Sequence, residues 1–333
     1  MNKKSIVIGL TLSCAIILSS GKAYAEDPPL AAPVVTRLAA GLEGATGSTI
    51  GPGRALYVTE GAAGRISRVD RHTGEITTFA SGLPKSIIGI GGVIDVAFIG
   101  KTAYALVTLV GADVGGSDVV GIYRVDGPDS FTVVADIGEF STQNPPDTDF
   151  SVPTGLQYAL EPYDGGFLVT DGHHNRVLRV TLDGEVTELN AFDNTVPTGL
   201  AVSGNAVYVA EAGPLPHSPQ DGKVVSFAPE SPIVAEVASG ASLLVDVEFG
   251  IGRHLYALSQ GDWPGSGDPG SPALPNTGEL VEVNGDMTLT VITDGLDQPT
   301  SLEFIGNTAY VVTLSGEVWR IDRVTRPPYG AAR

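Results

Sequence analysis

One unit of sequence recurs six times along the chain. In its clearest copy, residues 196–213 read VPTGLAVSGNAVYVAEAG: a Pro-Thr-Gly turn, a short apolar strand, a second turn, and an alternating strand that ends in an acid. The copies of the first strand are ATGSTI at Ala45, VIDVAF at Val93, PTGLQY at Pro153, PTGLAV at Pro197, LVDVEF at Leu244 and PTSLEF at Pro299. A second and a third strand follow each copy, and a fourth follows most of them. Four short antiparallel strands per repeat are typical of a β-propeller. We therefore predict an all-β, six-bladed β-propeller whose first strands surround a central channel.

The sixth copy stops after three strands, and its missing strand is predicted at the other end of the chain. Residues 34–42, VVTRLAAGL, resemble the fourth strands TTFASGL and TVITDGL of other copies. We predict that this N-terminal strand pairs as the outermost strand of the last blade, because ring closure removes open edges. The predicted propeller spans residues 34–325, and a short tail, 326–333, follows it.

The first 25 residues have the features of a signal peptide. Lys3 and Lys4 precede an apolar run, and Ala23-Tyr24-Ala25 is a small-x-small cleavage site. We predict a signal peptide over residues 1–25, a linker over 26–33, and export to the periplasm or the cell exterior. The chain's single cysteine, Cys14, lies in the leader, so the mature protein would have no disulfide.

The chain is strongly acidic, which limits its partners. The formal net charge of −19 would become −22 once the three lysines of the leader are lost. Such a surface repels nucleic-acid phosphates and anionic membranes. We expect a monomer that binds neither nucleic acid nor membrane, and whose partner is a small molecule, a glycan or another exported protein.

Three insertions fall at the same point of the repeat, between the second and third strands. They cover residues 109–119, 213–222 and 261–277 and are rich in Gly, Pro, Ser and Asp. Hairpin geometry brings these loops to the face where the first strands begin, which we call the insertion face. Loops that grow on one face of a scaffold are a common place for binding sites; the alternative is that they merely tolerate insertion.

Two aspartates interrupt the apolar first strands. Asp95 and Asp246 occupy the third position of units two and five, which lie opposite each other in a six-bladed ring. A carboxylate among apolar residues must be hydrogen-bonded, paired, metal-bound or protonated. A structural role, capping backbone amides near the channel, and a metal or catalytic role both remain open.

Further candidates come from strand ends and turns. The second strands of three units end in Glu60, Asp171 and Glu211, which we expect to point into the same funnel. Together with Asn175 they offer oxygen ligands of the kind that Ca²⁺ or Mg²⁺ prefers; the alternative is that they are ordinary turn residues. The threonines of the Pro-Thr turns are added to the predicted funnel lining: Thr154, Thr198 and Thr300.

Two longer segments resemble a known family. VPTGLAVSGNAVYVAEAGPLPHSPQDGKVVSF and SVPTGLQYALEPYDGGFLVTDGHHNRVLRVTLDGEVTEL are similar to the strand and turn motifs of the ScyD/ScyE family. Similar patterns occur in NHL-repeat proteins, the gluconolactonase superfamily and virginiamycin B lyase-like proteins. The resemblance implies an exported six-bladed propeller.

The same resemblance implies candidate chemistry. Gluconolactonase-like proteins build a divalent-metal site from Glu, Asn and Asp, and virginiamycin B lyase-like enzymes use a histidine base with a bound metal. By this resemblance His173, His174 and His217 are candidates for a general base; the alternative for each is an exposed histidine in a turn.

Two functions follow from these observations. The predicted function is an exported binding or interaction protein that uses the insertion face. The alternative is a divalent-metal-dependent lactonase or lyase with an acidic active-site funnel. A quinone-dependent sugar dehydrogenase is disfavoured, because an anionic quinone calls for basic residues and the predicted funnel is acidic.

Overall fold

The computed structural model describes residues 32–215, 221–231, 233–266 and 270–324. Within these ranges the chain forms six four-stranded antiparallel sheets arranged as the blades of a propeller. The prediction of an all-β, six-bladed propeller is confirmed. The predicted signal peptide, the predicted tail and His217 lie outside the described residues.

The strands are numbered in chain order, and each blade is given from the channel outward. The strands of blades one to three are β2 (Ala45–Ile50), β3 (Leu56–Glu60), β4 (Arg65–Val69) and β5 (Ile76–Ser81); β6 (Gly92–Ile99), β7 (Thr102–Thr108), β8 (Gly121–Gly127) and β9 (Ser130–Asp136); and β10 (Gln157–Tyr163), β11 (Gly166–Asp171), β12 (Arg176–Val180) and β13 (Val186–Ala191).

Blades four to six follow the same order. Their strands are β14 (Pro197–Ser203), β15 (Ala206–Glu211), β16 (Gly222–Phe227) and β17 (Ala235–Ala241); β18 (Leu244–Phe249), β19 (Leu255–Ser259), β20 (Gly278–Val283) and β21 (Leu289–Leu296); and β22 (Pro299–Ile305), β23 (Thr308–Thr313), β24 (Glu317–Asp322) and β1 (Val34–Ala40). The helical segments of the described chain are α1 (Ile137–Gln143) and three 3-10 turns, Pro52–Arg54, Ala112–Val114 and Ile251–Arg253. No helix in this part of the chain is long and apolar enough to cross a membrane.

The ring is closed by the N-terminal strand, as predicted. Strand β1 pairs antiparallel with β24, from Val34 opposite Asp322 to Ala40 opposite Glu317. The last blade is thus assembled from both ends of the described chain. This pairing provides hydrogen-bond partners for the backbone groups along the edge of β24, which would otherwise be open to solvent or to another chain.

Neighbouring blades are joined by a recurring aromatic contact. A tyrosine on the second strand of one blade packs against a phenylalanine of the next blade, with ring centroids about 5 Å apart, a usual distance for paired aromatic rings. The pairs are Tyr57 with Phe98 at 4.8 Å, Tyr104 with Phe167 at 4.9 Å, Tyr208 with Phe249 at 5.3 Å and Tyr256 with Phe304 at 5.0 Å. The recurring tyrosines therefore belong to the packing between blades.

Blade three departs from the predicted alignment. Its inner strand begins at Gln157, and Pro153, Thr154 and Gly155 form a turn before it. Gly155 has a φ of +76°, and a Cβ there would collide with the carboxylate of Asp171. The Pro-Thr-Gly sequence is therefore strand in blade four and turn in blade three.

Two long connections on the insertion face were not predicted. They run from the fourth strand of one blade to the inner strand of the next, over residues 82–91 and 137–156. The second contains α1, whose N-terminus is capped by Asp136 accepting from the backbone N–H of Glu139 at 2.7 Å. Both connections contribute to the entrance of the channel.

Candidate functional site

The channel at the centre of the ring contains a cavity of about 520 Å³. The inner strands of all six blades form its wall. Loops of the insertion face form its entrance, where Leu109, Leu215 and Pro272 come from the three predicted insertions. A volume of this size lies within the usual range for sites that hold small organic molecules.

Asp95 and Asp246 line this cavity and fasten adjacent blades to each other. One carboxylate oxygen of Asp95 accepts from the backbone N–H of Leu160 in blade three at 2.7 Å, and the other accepts from Val96 at 2.8 Å. The structure therefore supports the structural role left open by the sequence, that of capping backbone amides.

Asp246 repeats the arrangement on the opposite side of the ring. Its two oxygens accept from Leu302 of blade six at 2.7 Å and from Val247 at 2.8 Å. Burial raises the pKa of Asp246 to about 7 and the pKa of Asp95 well above its usual range, although the backbone hydrogen bonds act in the opposite direction.

Each of these carboxylates lies against a glycine of the preceding blade. A Cβ at Gly47 would collide with the carboxylate of Asp95, and one at Gly199 would collide with that of Asp246. Both glycines have ordinary negative φ values, so close approach rather than backbone conformation requires them.

Sequence reasoning missed three glutamates that line the same cavity. Glu161, Glu248 and Glu303 lie on the inner strands of blades three, five and six, and we call them the cavity floor. Glu248 is two residues beyond Asp246, and Glu161 and Glu303 directly follow the leucines that bind the two aspartates. The signal was an acid inside an otherwise apolar inner strand, as in LVDVEF and PTSLEF.

The floor glutamates have strongly raised pKa values. Burial, reinforced by repulsion from the neighbouring carboxylates, raises the pKa of Glu248 to about 8 and those of Glu161 and Glu303 well above the usual range. Among the described residues the carboxyl groups of Glu161 and Glu303 accept no hydrogen bond, whereas that of Glu248 accepts one from the backbone N–H of Phe249 at 2.7 Å. The floor is therefore a set of protonatable groups with unused hydrogen-bonding capacity.

The acids at the ends of the second strands form ion pairs with basic residues and do not face the cavity. Glu60 forms two hydrogen bonds of 2.7 Å with the guanidinium of Arg65, its cross-strand neighbour. Asp171 accepts from Nε of Arg176 at 3.2 Å, again across a strand pair. Neither acid is among the cavity-lining residues of the described chain.

Glu211 has the equivalent but looser arrangement in blade four. The amine of Lys223 lies 3.5 Å from its carboxylate, and the carboxylate is almost fully buried. Burial raises the pKa of Glu211 to about 7 despite the nearby lysine. Like Glu60 and Asp171, Glu211 does not belong to the described cavity lining.

The four predicted metal ligands are not brought together. Asn175 donates to the hydroxyl of Thr148 at 3.0 Å, while Glu60, Asp171 and Glu211 each face a basic residue of their own blade. Among the described residues, no three His, Cys, Asp or Glu side chains lie close enough to hold a metal ion. The predicted donors therefore do not fit a common Ca²⁺ or Mg²⁺ site.

The two described histidine candidates have different surroundings. His173 lines the cavity, but its Nε2 accepts from the backbone N–H groups of Ser151 and Val152 at 2.8 and 3.1 Å, and burial lowers its pKa. His174 is buried, with Nε2 3.0 Å from the carbonyl oxygen of Val152 and Nδ1 3.1 Å from Nη2 of Arg176. His173 can therefore present only Nδ1–H to a ligand, and His174 has both ring nitrogens engaged.

The three predicted threonines separate into two groups. Thr198 and Thr300 line the cavity, and their hydroxyls donate to carbonyl oxygens of the next blade, Leu244 at 2.9 Å and Thr46 at 2.7 Å. Thr154, in the turn before β10, instead donates both its N–H and its hydroxyl to Asp113.

Comparisons with known proteins show the fold alone. No protein-family model matches the chain, and a search of curated proteins found no match. Among solved structures, a gluconolactonase from Xanthomonas campestris is 13% identical with a TM-score of 0.61, over 87% of this chain and 89% of that one. Virginiamycin B lyase from Staphylococcus aureus is 15% identical with a TM-score of 0.53, over 87% of this chain and 98% of that one.

A third similar structure comes from a protein complex. A chain of the nidogen/laminin complex is 16% identical with a TM-score of 0.52, over 78% of this chain and 84% of that one. The chain thus shares the propeller of the gluconolactonase and virginiamycin B lyase type. Membership of the ScyD/ScyE family stays a prediction.

Proposed function

We propose that the protein is an exported binding protein that holds a small, largely apolar organic molecule in its central cavity. The observation that supports this function best is the cavity itself, which is about 520 Å³ in volume and opens among the loops of the insertion face. The signal peptide and the ligand both belong to this proposal.

The upper wall of the cavity favours an apolar ligand. Many of its lining residues are aliphatic, among them Leu156, Leu200, Leu243, Val245 and Leu302. An apolar group that enters this space is removed from water, which stabilises the complex by about 25 cal/mol for each Å² of apolar surface buried. The carboxyl groups lie at the floor and next to it, where they would orient one end of the ligand.

A fluorescence titration tests this proposal. A neutral apolar fluorophore, N-phenyl-1-naphthylamine, should brighten on binding the protein without its leader. Ala159 is half-buried on the channel wall, so Ala159→Trp should fill the cavity and weaken binding by at least about tenfold. Ala235 is exposed on the outermost strand β17, so Ala235→Trp is the matched control. Equal binding by the two variants would refute the cavity as the site.

A second candidate function is a lactonase or lyase that uses the cavity carboxyls. The observation in its favour is that Asp246 and Glu248 face a ligand-sized space with pKa values raised to about 7 and 8, suited to a general acid near neutral pH. The similar gluconolactonase and virginiamycin B lyase make this chemistry compatible with the fold.

An assay against a panel of lactones and cyclic esters tests the second candidate. Turnover should disappear in Asp246→Asn or Glu248→Gln if these carboxyls transfer the proton. Dependence on Ca²⁺ or Mg²⁺ stays a prediction, and the same assay after EDTA treatment, with each metal restored in turn, measures it. Activity that persists in both variants would assign the chemistry to other groups.

A further inference from the structure

We infer that the ligand of the central cavity is an amphipathic amine, with an apolar body in the upper cavity and a protonated amino group at the floor. This inference rests on the proposed function and names the chemical class of its ligand. Three independent features of the site point to it: unsatisfied acceptors, the sign of the lining charge, and a continuous apolar path to the surface.

The floor carboxyls have acceptor oxygens that few described groups use. The carboxyl groups of Glu161 and Glu303 accept no hydrogen bond from any described residue, and the carboxyl group of Glu248 accepts only from the backbone N–H of Phe249. An ammonium group carries three N–H donors and no acceptor, so it matches such a floor. A hydroxyl brings only one donor, and a carboxylate brings none.

The described lining offers only negative charge once its carboxyls ionise. Asp95 and Asp246 lie next to the floor, and the described cavity lining contains no lysine or arginine. The basic-type side chain that the lining does contain, His173, has a pKa lowered by burial and is neutral near pH 7. A cation would favour the ionised form of these carboxyls and gain an opposite charge, whereas an anionic ligand would find no positive charge in the described lining.

The spacing of the carboxyls distinguishes an organic cation from a metal ion. Among the described residues, no three of these side chains converge closely enough to coordinate a single ion. Carboxyls spread around a channel can instead share one ammonium group, directly or through water. The apolar wall above them then has to be covered by the rest of the same molecule.

The apolar wall continues onto the protein surface. The loop 85–91, here the isoleucine loop, places Ile90 at the cavity entrance with 59% of its surface exposed. Ile87 and Ile88 of the same loop are 48% and 50% exposed. The loop is fixed by the hydroxyl of Ser86, which donates to the carbonyl oxygen of Ile90 at 2.7 Å. Adjacent exposed apolar residues beside a cavity are unusual unless a ligand or partner covers them.

Calorimetric titration with three probes of equal chain length tests the inference. Octylammonium, 1-octanol and octanoate share the apolar part and differ only in the head group. We expect octylammonium to bind at least about tenfold more tightly than 1-octanol, because charge-assisted hydrogen bonds are the stronger ones, and octanoate to bind most weakly. At pH 7 the binding of octylammonium should also release protons, because the cation favours ionised carboxyls. The release is detected as a dependence of the measured heat on the buffer.

Variants of the cavity floor test whether its glutamates cause the preference for octylammonium. The double variant Glu161→Gln/Glu303→Gln should lose the preference for octylammonium and keep its affinity for 1-octanol, since the apolar wall is unchanged. Glu185→Gln, an exposed acid in the turn before β13, is the control and should behave as the wild type. Melting temperatures of all variants establish that each is folded.

The outcomes separate the inference from the proposed function. Equal affinity for octylammonium and 1-octanol, or an unchanged preference in the double variant, would overturn the amine assignment and leave the binding function standing. If N-phenyl-1-naphthylamine binds and none of the three octyl probes does, the amine assignment also fails. Failure of the fluorophore and of all three probes would overturn both.

Discussion

At the scale of single residues, the channel is organised by an aspartate and a glycine on adjacent strands. Asp95 lies against Gly47 and binds Leu160, and Asp246 lies against Gly199 and binds Leu302. The carboxylate thus occupies the space that a side chain on the glycine would need. The two sets lie three blades apart, so the ring has an approximate twofold repeat at its centre.

This contact predicts a strong effect of a single methyl group. Gly199→Ala should lower the free energy of unfolding by roughly 1–3 kcal/mol, because the new Cβ overlaps the carboxylate of Asp246. Gly285 also has an ordinary φ, and a Cβ added there would have no other atom within 4 Å, so Gly285→Ala is the control. Urea unfolding measures both. Equal stability of the two variants would show that the aspartate moves aside without cost.

At the scale of strands and blades, an acid at the end of a second strand is paired with a base at the start of the third. Glu60 and Arg65, Asp171 and Arg176, and Glu211 and Lys223 are cross-strand neighbours. The order of these residues was visible in the sequence, but only the hairpin register shows that each acid faces its own base. For this reason they were predicted as a shared metal site and are found as three separate ion pairs.

Removing these bases should have unequal effects. Arg176→Met leaves Asp171 buried beside fewer donors and should cost about 3–5 kcal/mol, as for other broken buried ion pairs. Lys223→Met should cost much less below pH 7, because the pKa of Glu211 is already raised to about 7 and the carboxyl can stay protonated. Chemical denaturation at pH 6 and pH 8 measures the loss of unfolding free energy in both variants. A larger loss for Lys223→Met at pH 6 than at pH 8 would contradict the prediction.

The fold was predictable at this scale and the site only in part. The repeat, the six inner strands and the closing strand followed from turn residues and alternation, which are local signals. The inner strand of blade three was misaligned, because the same Pro-Thr-Gly sequence forms a turn there and places Thr154 against Asp113. Glu161 was overlooked with it, since its position on the channel wall depends on that register.

At the scale of the whole molecule, the buried acids set an unusual dependence of stability on pH. The pKa values of Glu211, Asp246 and Glu248 are raised to about 7, 7 and 8, above those of the unfolded chain. The folded protein therefore binds more protons than the unfolded chain between about pH 4.5 and 8. The stability linked to these groups is fully present below the unfolded pKa values and is lost as pH rises through 7 to 8.

The melting temperature should therefore be higher at pH 5 than at pH 8.5. In Asp246→Asn/Glu248→Gln the difference should shrink, because the substituted amides do not ionise. Differential scanning calorimetry at both pH values checks the result. A melting temperature that rises steadily from pH 5 to pH 8.5 would mean that the channel carboxyls are ionised in the folded protein.

A crystal structure with octylammonium bound tests most directly whether the channel of the propeller is a ligand site with an acidic floor. We expect one molecule along the channel, with its nitrogen within hydrogen-bonding distance of Glu161 or Glu303 and its chain directed past Leu243 toward Ile90. A probe bound only on the outer strands, with none in the channel, would contradict it.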